Sequence, residues 1–192
     1  CTRKQISSVP AVIYANREIG RKVGQYFVGL GFEYYGYFAR CENQWSAERQ
    51  EGFCEYLNKK RKNVEIFELT DPASNGDSKQ VADRLLEFSK PAAIMTYDDY
   101  TAKTLLEVCF LYGIRIPDEI AIAGVGNDKL ICEFTRPPLS SLKLNLNEAG
   151  FQAARLLDSI LKGEKVTSQP VLIQPNQMIV RQSTDILAIS DP

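Results

Sequence analysis

The sequence predicts an α/β fold with a mainly parallel sheet flanked by helices. Three observations lead there. Short apolar runs alternate with segments of helical periodicity from one end of the chain to the other, the pattern of a layered α/β domain. The stretch PAAIMTYDDYTAKTLLEVCFLYGIRIPDEIAIAGVGN, residues 91–127, reads as strand, helix, strand. Its two apolar runs, Ala92–Tyr97 and Ile120–Val125, lack the in-out alternation of a half-exposed sheet. Strands buried on both faces look like this, and a helix between two such strands makes a parallel βαβ unit.

Taken in order, Val9–Ala15 reads as a strand and Arg17–Leu30 as a helix, with Gly20, Val23, Gly24 and Phe27 on one face and Gly31 at its end. Tyr34–Arg40 is an aromatic strand. Ser46 is placed to cap a helix running from Ala47 to Lys60, with Phe53, Tyr56 and Leu57 inward. VEIFEL at 64–69 is a strand, TDPASNGDS a loop, and Gln80–Ser89 a helix with Val81, Leu85 and Phe88 inward. Pro91 closes that segment. In the strand-helix-strand stretch, Asp98 and Asp99 stand where short acidic side chains cap a helix and favour its positive end. Ala102, Leu105, Leu106 and Cys109 follow at helical spacing; Gly113 ends the helix and Pro117 prevents its continuation. Gly124 and Gly126 stop the second strand. Residues 128–138 read as irregular and Ser140–Leu144 as a strand. Asn147–Leu161 is an amphipathic helix with Ala149, Ala153, Leu156, Leu157 and Ile160 as its stripe, ended by Gly163. Val171–Gln174 and Met178–Arg181 are short strands with a turn at Pro175-Asn176, and the last ten residues form a tail.

Composition narrows the function. The chain has 192 residues, 44% hydrophobic and 24% charged, in the ordinary globular range. A formal net charge of −1 gives no basic surface for nucleic acid. The sequence contains no His, which removes Ser-His-Asp and Cys-His catalysis and the commonest metal ligand. Its 5 Cys are scattered without a CxxC pair, so thiols in a reducing cytosol fit better than a disulfide framework or a zinc site. No apolar run approaches the roughly 20 residues that span a membrane. The glycines form neither GxGxxG nor a P-loop. The adjacent acids Asp98 and Asp99 give little support to a glycosidase, whose carboxyls face each other across the ligand about 5–10 Å apart, since neighbours at a helix start need not converge that way. No cofactor is expected. The first residues, CTRKQISSVP, read as the continuation of a longer protein.

In open α/β sheets ligands bind beyond the carboxyl ends of the strands. That puts Tyr97, Asp98 and Asp99 at one rim with Gly126, Asn127 and Asp128.

Several stretches together resemble the effector core of the LacI/GalR-type sugar repressors and the related periplasmic sugar-binding proteins. The strand end Tyr97-Asp98-Asp99 and the run GIRIPDEIAIAGVGND are similar to the family's "ND…A" and "G…IP-DEI-I-G-DN". PPLSSLKLNLNEAGFQAARLLDSILKG, PVLIQPNQMIVRQST, NREIGRKVGQYFVGLGF and WSAERQEGF resemble other family segments, so that the likeness runs from Val9 to Thr184. Trp45-Ser46-Ala47-Glu48-Arg49 and the ending RQSTDILAISDP resemble most closely the sugar-operon activators in which an AraC-like DNA-binding domain follows the sensor.

The resemblance implies a periplasmic-binding-protein-like (type I) core, with most of its N-terminal lobe outside this chain. Residues 1–19 would end that lobe and cross over, 20–138 would form the C-terminal lobe, 139–163 would cross back as a strand and helix, and 164–192 would supply the last strands and the tail. It implies a cytoplasmic ligand sensor of a transcription regulator, for xylose or another pentose, a homodimer without membrane contact, acting on DNA through a separate domain; a sugar-binding protein of a transport system is the alternative. Sugar sites need planar polar side chains for neighbouring hydroxyls and an aromatic face for the ring. The residues implied are Asn16, Trp45, Arg49, Asp98, Asn127 and Asp128. By themselves Arg49 reads equally as an exposed helix charge, Trp45 as a packing residue and Asp98 as a helix cap. The departure is Gly126, where the family has an acid that grips hydroxyls. Either Asn127 or Asp128 substitutes, or the ligand differs; Leu144 and Leu146 make the hinge side less polar than in some members.

Overall fold

A computed structural model describes residues 10–39, 44–68, 75–186 and 188. The elements run β1 (Val12–Tyr14), α1 (Asn16–Gly29), β2 (Tyr34–Ala39), α2 (Gln44–Lys59), β3 (Val64–Glu68), α3 (Asn75–Glu87), β4 (Ala92–Thr96), α4 (Asp99–Leu111), β5 (Ile120–Gly126), α5 (Lys129–Phe134), β6 (Ser140–Lys143), α6 (Leu146–Leu161), β7 (Val171–Ile173) and β8 (Met178–Ile179), followed by a 3-10 turn at Gln182–Thr184. The main sheet has the order β3-β2-β4-β5-β6-β8; its first five strands are parallel and β8 is antiparallel to β6. β1 and β7 pair separately, in parallel. The α/β architecture expected from the sequence is the one observed.

The sheet buries both faces, as its uninterrupted apolar strands require. Alternate residues of one strand enter different cores. Ile94 of β4 packs with α3, α4 and α5, while Ala93 and Met95 pack with α1 and α2. Phe27 and Phe53, one from each of α1 and α2, meet edge to face with centroids 6.4 Å apart, a favoured arrangement of aromatic rings.

Those two helices touch through glycine. A β-carbon on Gly20 would collide with the Arg49 carbonyl oxygen, and one on Gly52 with the carbonyl oxygen of Arg17. Only backbones without side chains approach so closely, and the contact brings the start of α1 beside the second turn of α2.

Five expectations need correction. Ser46 is no cap: α2 already includes Gln44, and Ser46 lies buried inside it, its carbonyl accepting from the Tyr37 hydroxyl at 2.9 Å. α3 begins at Asn75, inside the expected loop, because short polar residues suit helix starts as well as loops. Residues 128–138 hold a helix, α5, too short to show a periodicity but capped by Asp128. β5 runs through Gly124, whose missing side chain makes room for Asp99 and Leu139 rather than stopping the strand. β7 and β8 join different sheets, and the supposed tail is part of the core: Ser183 and Thr184 are buried, and the Ser183 hydroxyl donates to the Ile122 carbonyl at 2.7 Å. Val9, Arg40, Leu69 and the stretch 70–74 lie outside the described residues.

Two glycine-to-alanine changes in helices should move stability in opposite directions. Gly52→Ala overpacks a backbone contact and should cost about 1–3 kcal/mol, lowering the melting temperature by roughly 2–4 °C per kcal/mol. Gly29→Ala meets nothing within 4 Å and should be neutral or stabilising by up to about 1 kcal/mol from helix propensity. Thermal melts of the two variants beside the parent chain check the pair.

Candidate functional site

Chain order and strand order part company at β2 and β4. β2 is followed by β3 on one side, and the chain then returns to place β4 on the other. α2 leaves the end of β2 toward the α1 face, whereas α4 leaves the end of β4 toward the opposite face. The two connections diverge there and open a crevice, the topological switch point at which such sheets bind ligands.

Arg49 is built into this crevice from the second turn of α2. It is 5% exposed. Its Nε donates to Asn16 Oδ1 at 3.0 Å and its Nη1 to the Tyr97 carbonyl at 2.6 Å, with the guanidinium 5.0 Å from the Tyr97 ring centroid. Nη2 has no partner among the described residues. Burial pushes the Arg49 pKa down, opposed by Tyr97, Tyr37, Asp98 and Asp99. The group stays charged, because a guanidinium is not deprotonated in proteins. Asn16, the first residue of α1, is buried as well, and its Nδ2 donates to Glu48 Oε2 at 2.9 Å. Both ends of its amide are therefore fixed. Asp98 follows Tyr97 and caps α4 by accepting from the Thr101 amide at 2.7 Å. Trp45, on the first turn of α2 and 58% exposed, lies one turn before Arg49.

A second cluster closes the rim over β5 and β6. Asp99 is buried, its Oδ1 accepting from the Ser141 hydroxyl at 2.5 Å and its Oδ2 from the Asp128 amide at 2.7 Å. Ser141 Oγ in turn accepts from the Asn127 amide at 3.0 Å. Asn127 has φ of 60° and its Oδ1 accepts from Arg181 Nη2 at 2.9 Å; Arg181 Nη1 also donates to the Leu139 carbonyl at 2.8 Å. Asp128 Oδ1 accepts from the amides of Leu130 and Ile131 at the start of α5. Gly126 has φ of +133°, and a β-carbon there would stand 2.9 Å from Asp99 Oδ2. The Asp99 carboxylate thus occupies the space beside the missing side chain. Burial raises the Asp99 pKa, against the hydrogen bonds from Ser141 and Asp128 that lower it.

The structure gathers Asn16, Arg49 and the Tyr97-Asp98 strand end into one cluster, with the exposed Trp45 one turn before Arg49 on α2. It sets Asn127 and Asp128 in the other, where their polar atoms serve Arg181 and α5. Sequence reasoning did not single out Glu48, Ser141 or Arg181. Glu48 had a signal in its position next to Arg49; Ser141 and Arg181 had none, since the pairing of β6 with β8 is not written in either segment. Among the described residues no group of three or more His, Cys, Asp or Glu is placed to hold a metal ion.

A parallel sheet with a polar, aromatic-edged crevice at its switch point defines a small-molecule-binding α/β domain. Residues 25–184 match the periplasmic binding protein-like domain, and the chain belongs to that family. The xylose operon regulatory protein of Haemophilus influenzae is 30% identical over 164 residues, covering 84% of this chain and 42% of the relative. The chain thus spans about two fifths of the curated relatives it matches most fully. The structure of a xylose-binding transcription activator superposes with a TM-score of 0.87 at 24% identity, covering 96% of this chain and 50% of that one. A periplasmic binding protein/LacI transcriptional regulator from Alkaliphilus metalliredigens, complexed with D-xylulofuranose, gives a TM-score of 0.80 at 19% identity, over 93% of this chain and 66% of that one. These likenesses bear out the fold and family expected from the sequence.

Asp99 yields a prediction. Asp99→Ala strands the Asp128 amide and the Ser141 hydroxyl and should cost roughly 1–3 kcal/mol for each unsatisfied group. Asp99→Asn tests the charge. A carboxyl whose folded pKa is raised stabilises the fold fully below its ordinary value of 3.8 and loses that contribution as pH rises through the raised value. The parent chain should therefore lose stability relative to Asp99→Asn as pH rises above 3.8. Denaturant unfolding across the acidic range measures the difference.

Proposed function

We propose that this chain is the ligand-sensing core of a bacterial transcription regulator of sugar catabolism, with a pentose or similar small sugar as effector. The observation that carries the reading is Arg49: a buried cation at the switch point, fixed on two nitrogens while the third takes no partner from the described residues. A catalytic site has less support, since the hydrogen bonds of Asn16, Glu48 and Arg49 join no nucleophile to a base there. The printed names of the relatives, sugar-operon regulators, support the regulatory reading. On this proposal the protein works in the cytoplasm; no helix among the described residues is long and apolar enough to cross a membrane. A second lobe closes over the crevice, and closure alters DNA binding by a separate domain. The exposed apolar side chains of α6, including Phe151, Leu157 and Leu161, support a neighbouring layer there.

The site residues proposed to meet the sugar are Asn16, Trp45, Arg49 and Asp98, with Asn127 and Asp128 shaping the rim. Thermal shift and Trp45 fluorescence on the full-length protein, against a panel of pentoses and hexoses, test this. A sugar at 100 times its Kd should add about 2.7 kcal/mol of stability. Arg49→Lys keeps the charge but cannot reach Asn16 and Tyr97 while presenting a third edge, and should lose the sugar-specific shift. A full-length protein that no sugar shifts, or a variant that responds like its parent, overturns the reading.

The proposed homodimer has a face to use. α4 and α5 enclose an apolar groove of about 660 Å³ lined by Phe110, Leu111, Leu130 and Phe134. Phe110 and Phe134 are 80% and 78% exposed, and large apolar side chains exposed together mark interaction surfaces. Glu107 and Arg136 sit on the same rim, so a two-fold axis can set opposite charges against each other. Phe134→Glu should convert a dimer to monomer in sedimentation analysis, while Phe151→Glu on α6 leaves that dimer intact; the reverse pattern would move the interface.

A further inference from the structure

We propose that Glu48 contacts the ligand directly and sets which hydroxyl configuration the site accepts. The inference rests on the sugar-sensor reading above and deepens it. At Gly126 the rim carries no side chain, and the carboxylate beside it, Asp99, is spent on Ser141 and the Asp128 amide. Asp128 is spent on the start of α5. Acceptors for sugar hydroxyls must come from elsewhere on the crevice.

Glu48 is such an acceptor. It precedes Arg49 on α2 and follows Trp45 by three residues, so the three share the end of the helix that faces the crevice. Its Oε2 accepts from Asn16 Nδ2 at 2.9 Å across 32 residues of chain, and its Oε1 from Gln44 Nε2 at 2.9 Å one turn back. A helix-start carboxylate with a polar neighbour one turn away is common on any surface helix. The bond to Asn16 is of another kind. It joins Glu48 to the buried amide that also holds Arg49 Nε, and so fixes the carboxylate relative to the guanidinium.

A carboxylate offers about four lone-pair positions, of which these contacts fill two. The lone pairs of Glu48 that these contacts leave over and the Nη2 of Arg49, which takes no partner from the described residues, form an acceptor and a donor held in fixed relation through the Asn16 amide. Each sugar hydroxyl both donates and accepts, so a vicinal pair matches that edge in one configuration and not in its epimer. A site built to hydrogen-bond a hydroxyl rejects the analogue that lacks or misplaces it, because buried polar groups are then left unpaired.

The test uses the full-length protein and D-xylose, L-arabinose, D-ribose and 2-deoxy-D-ribose, with the quench or shift of Trp45 emission as readout. Glu48→Gln keeps the size and one acceptor oxygen. It should weaken the preferred pentose by about tenfold or more and shrink its preference over the other three, while the melting temperature without sugar stays that of the parent. A merely structural Glu48 would lower the unliganded melting temperature and weaken all four sugars alike; that result overturns the proposal. So does a Glu48→Gln protein with the parent's affinity and preference, which leaves the sensor reading intact. A parent protein that binds none of the sugars removes both.

Discussion

The backbone contact between α1 and α2 governs what the crevice can contain. Gly20 and Gly52 let the two helices meet carbonyl to α-carbon, and the polar cluster exists only because they do. Asn16 opens α1 and Arg49 lies in the second turn of α2. At ordinary helix separations of 8–10 Å a side chain at one helix start would not reach so directly into the next. Once the helices are that close, Asn16 spans from Glu48 to Arg49, and Arg49 spans from Asn16 to the end of β4. The chain's least bulky residues thus position its most demanding side chain.

A buried guanidinium is costly unless its donors are met. Arg49 is met on Nε, on Nη1 and on its face by the Tyr97 ring, and the acids Asp98 and Asp99 stand near enough to favour its charge. The arrangement is not closed. Nη2 takes no partner from the described residues, so the internal network accounts for two of the three guanidinium nitrogens.

The elements themselves were legible in the sequence, and the geometry of the site was legible only in part. Apolar runs and helical stripes placed β4, α4, β5 and α6 within a residue or two, because burial on a fixed period leaves a local trace. Asp98 announced itself as a cap. Strand order left no such trace: nothing in residues 34–39 or 92–96 says that β2 and β4 are neighbours, yet the crevice lies there. Expectation set the Asp98-Asp99 strand end beside Gly126, Asn127 and Asp128, and Asp99 does take the Asp128 amide there; the company of Arg49 came from the strand order, which the sequence does not carry. Ser46 was misread because residues before it also enter the helix, and α5 because one and a half turns are too few to count. The role of Asn127 depended on Arg181, a partner 54 residues away, which only tertiary structure supplies.

The two clusters at the rim are joined through adjacent residues. Asp98 caps α4; Asp99 is the first residue of the same helix and holds the start of α5 through the Asp128 amide. One strand end therefore ties together the N-termini of α4 and α5. Those helices are the walls of the apolar groove, and Phe110 and Phe134 lie at their far ends.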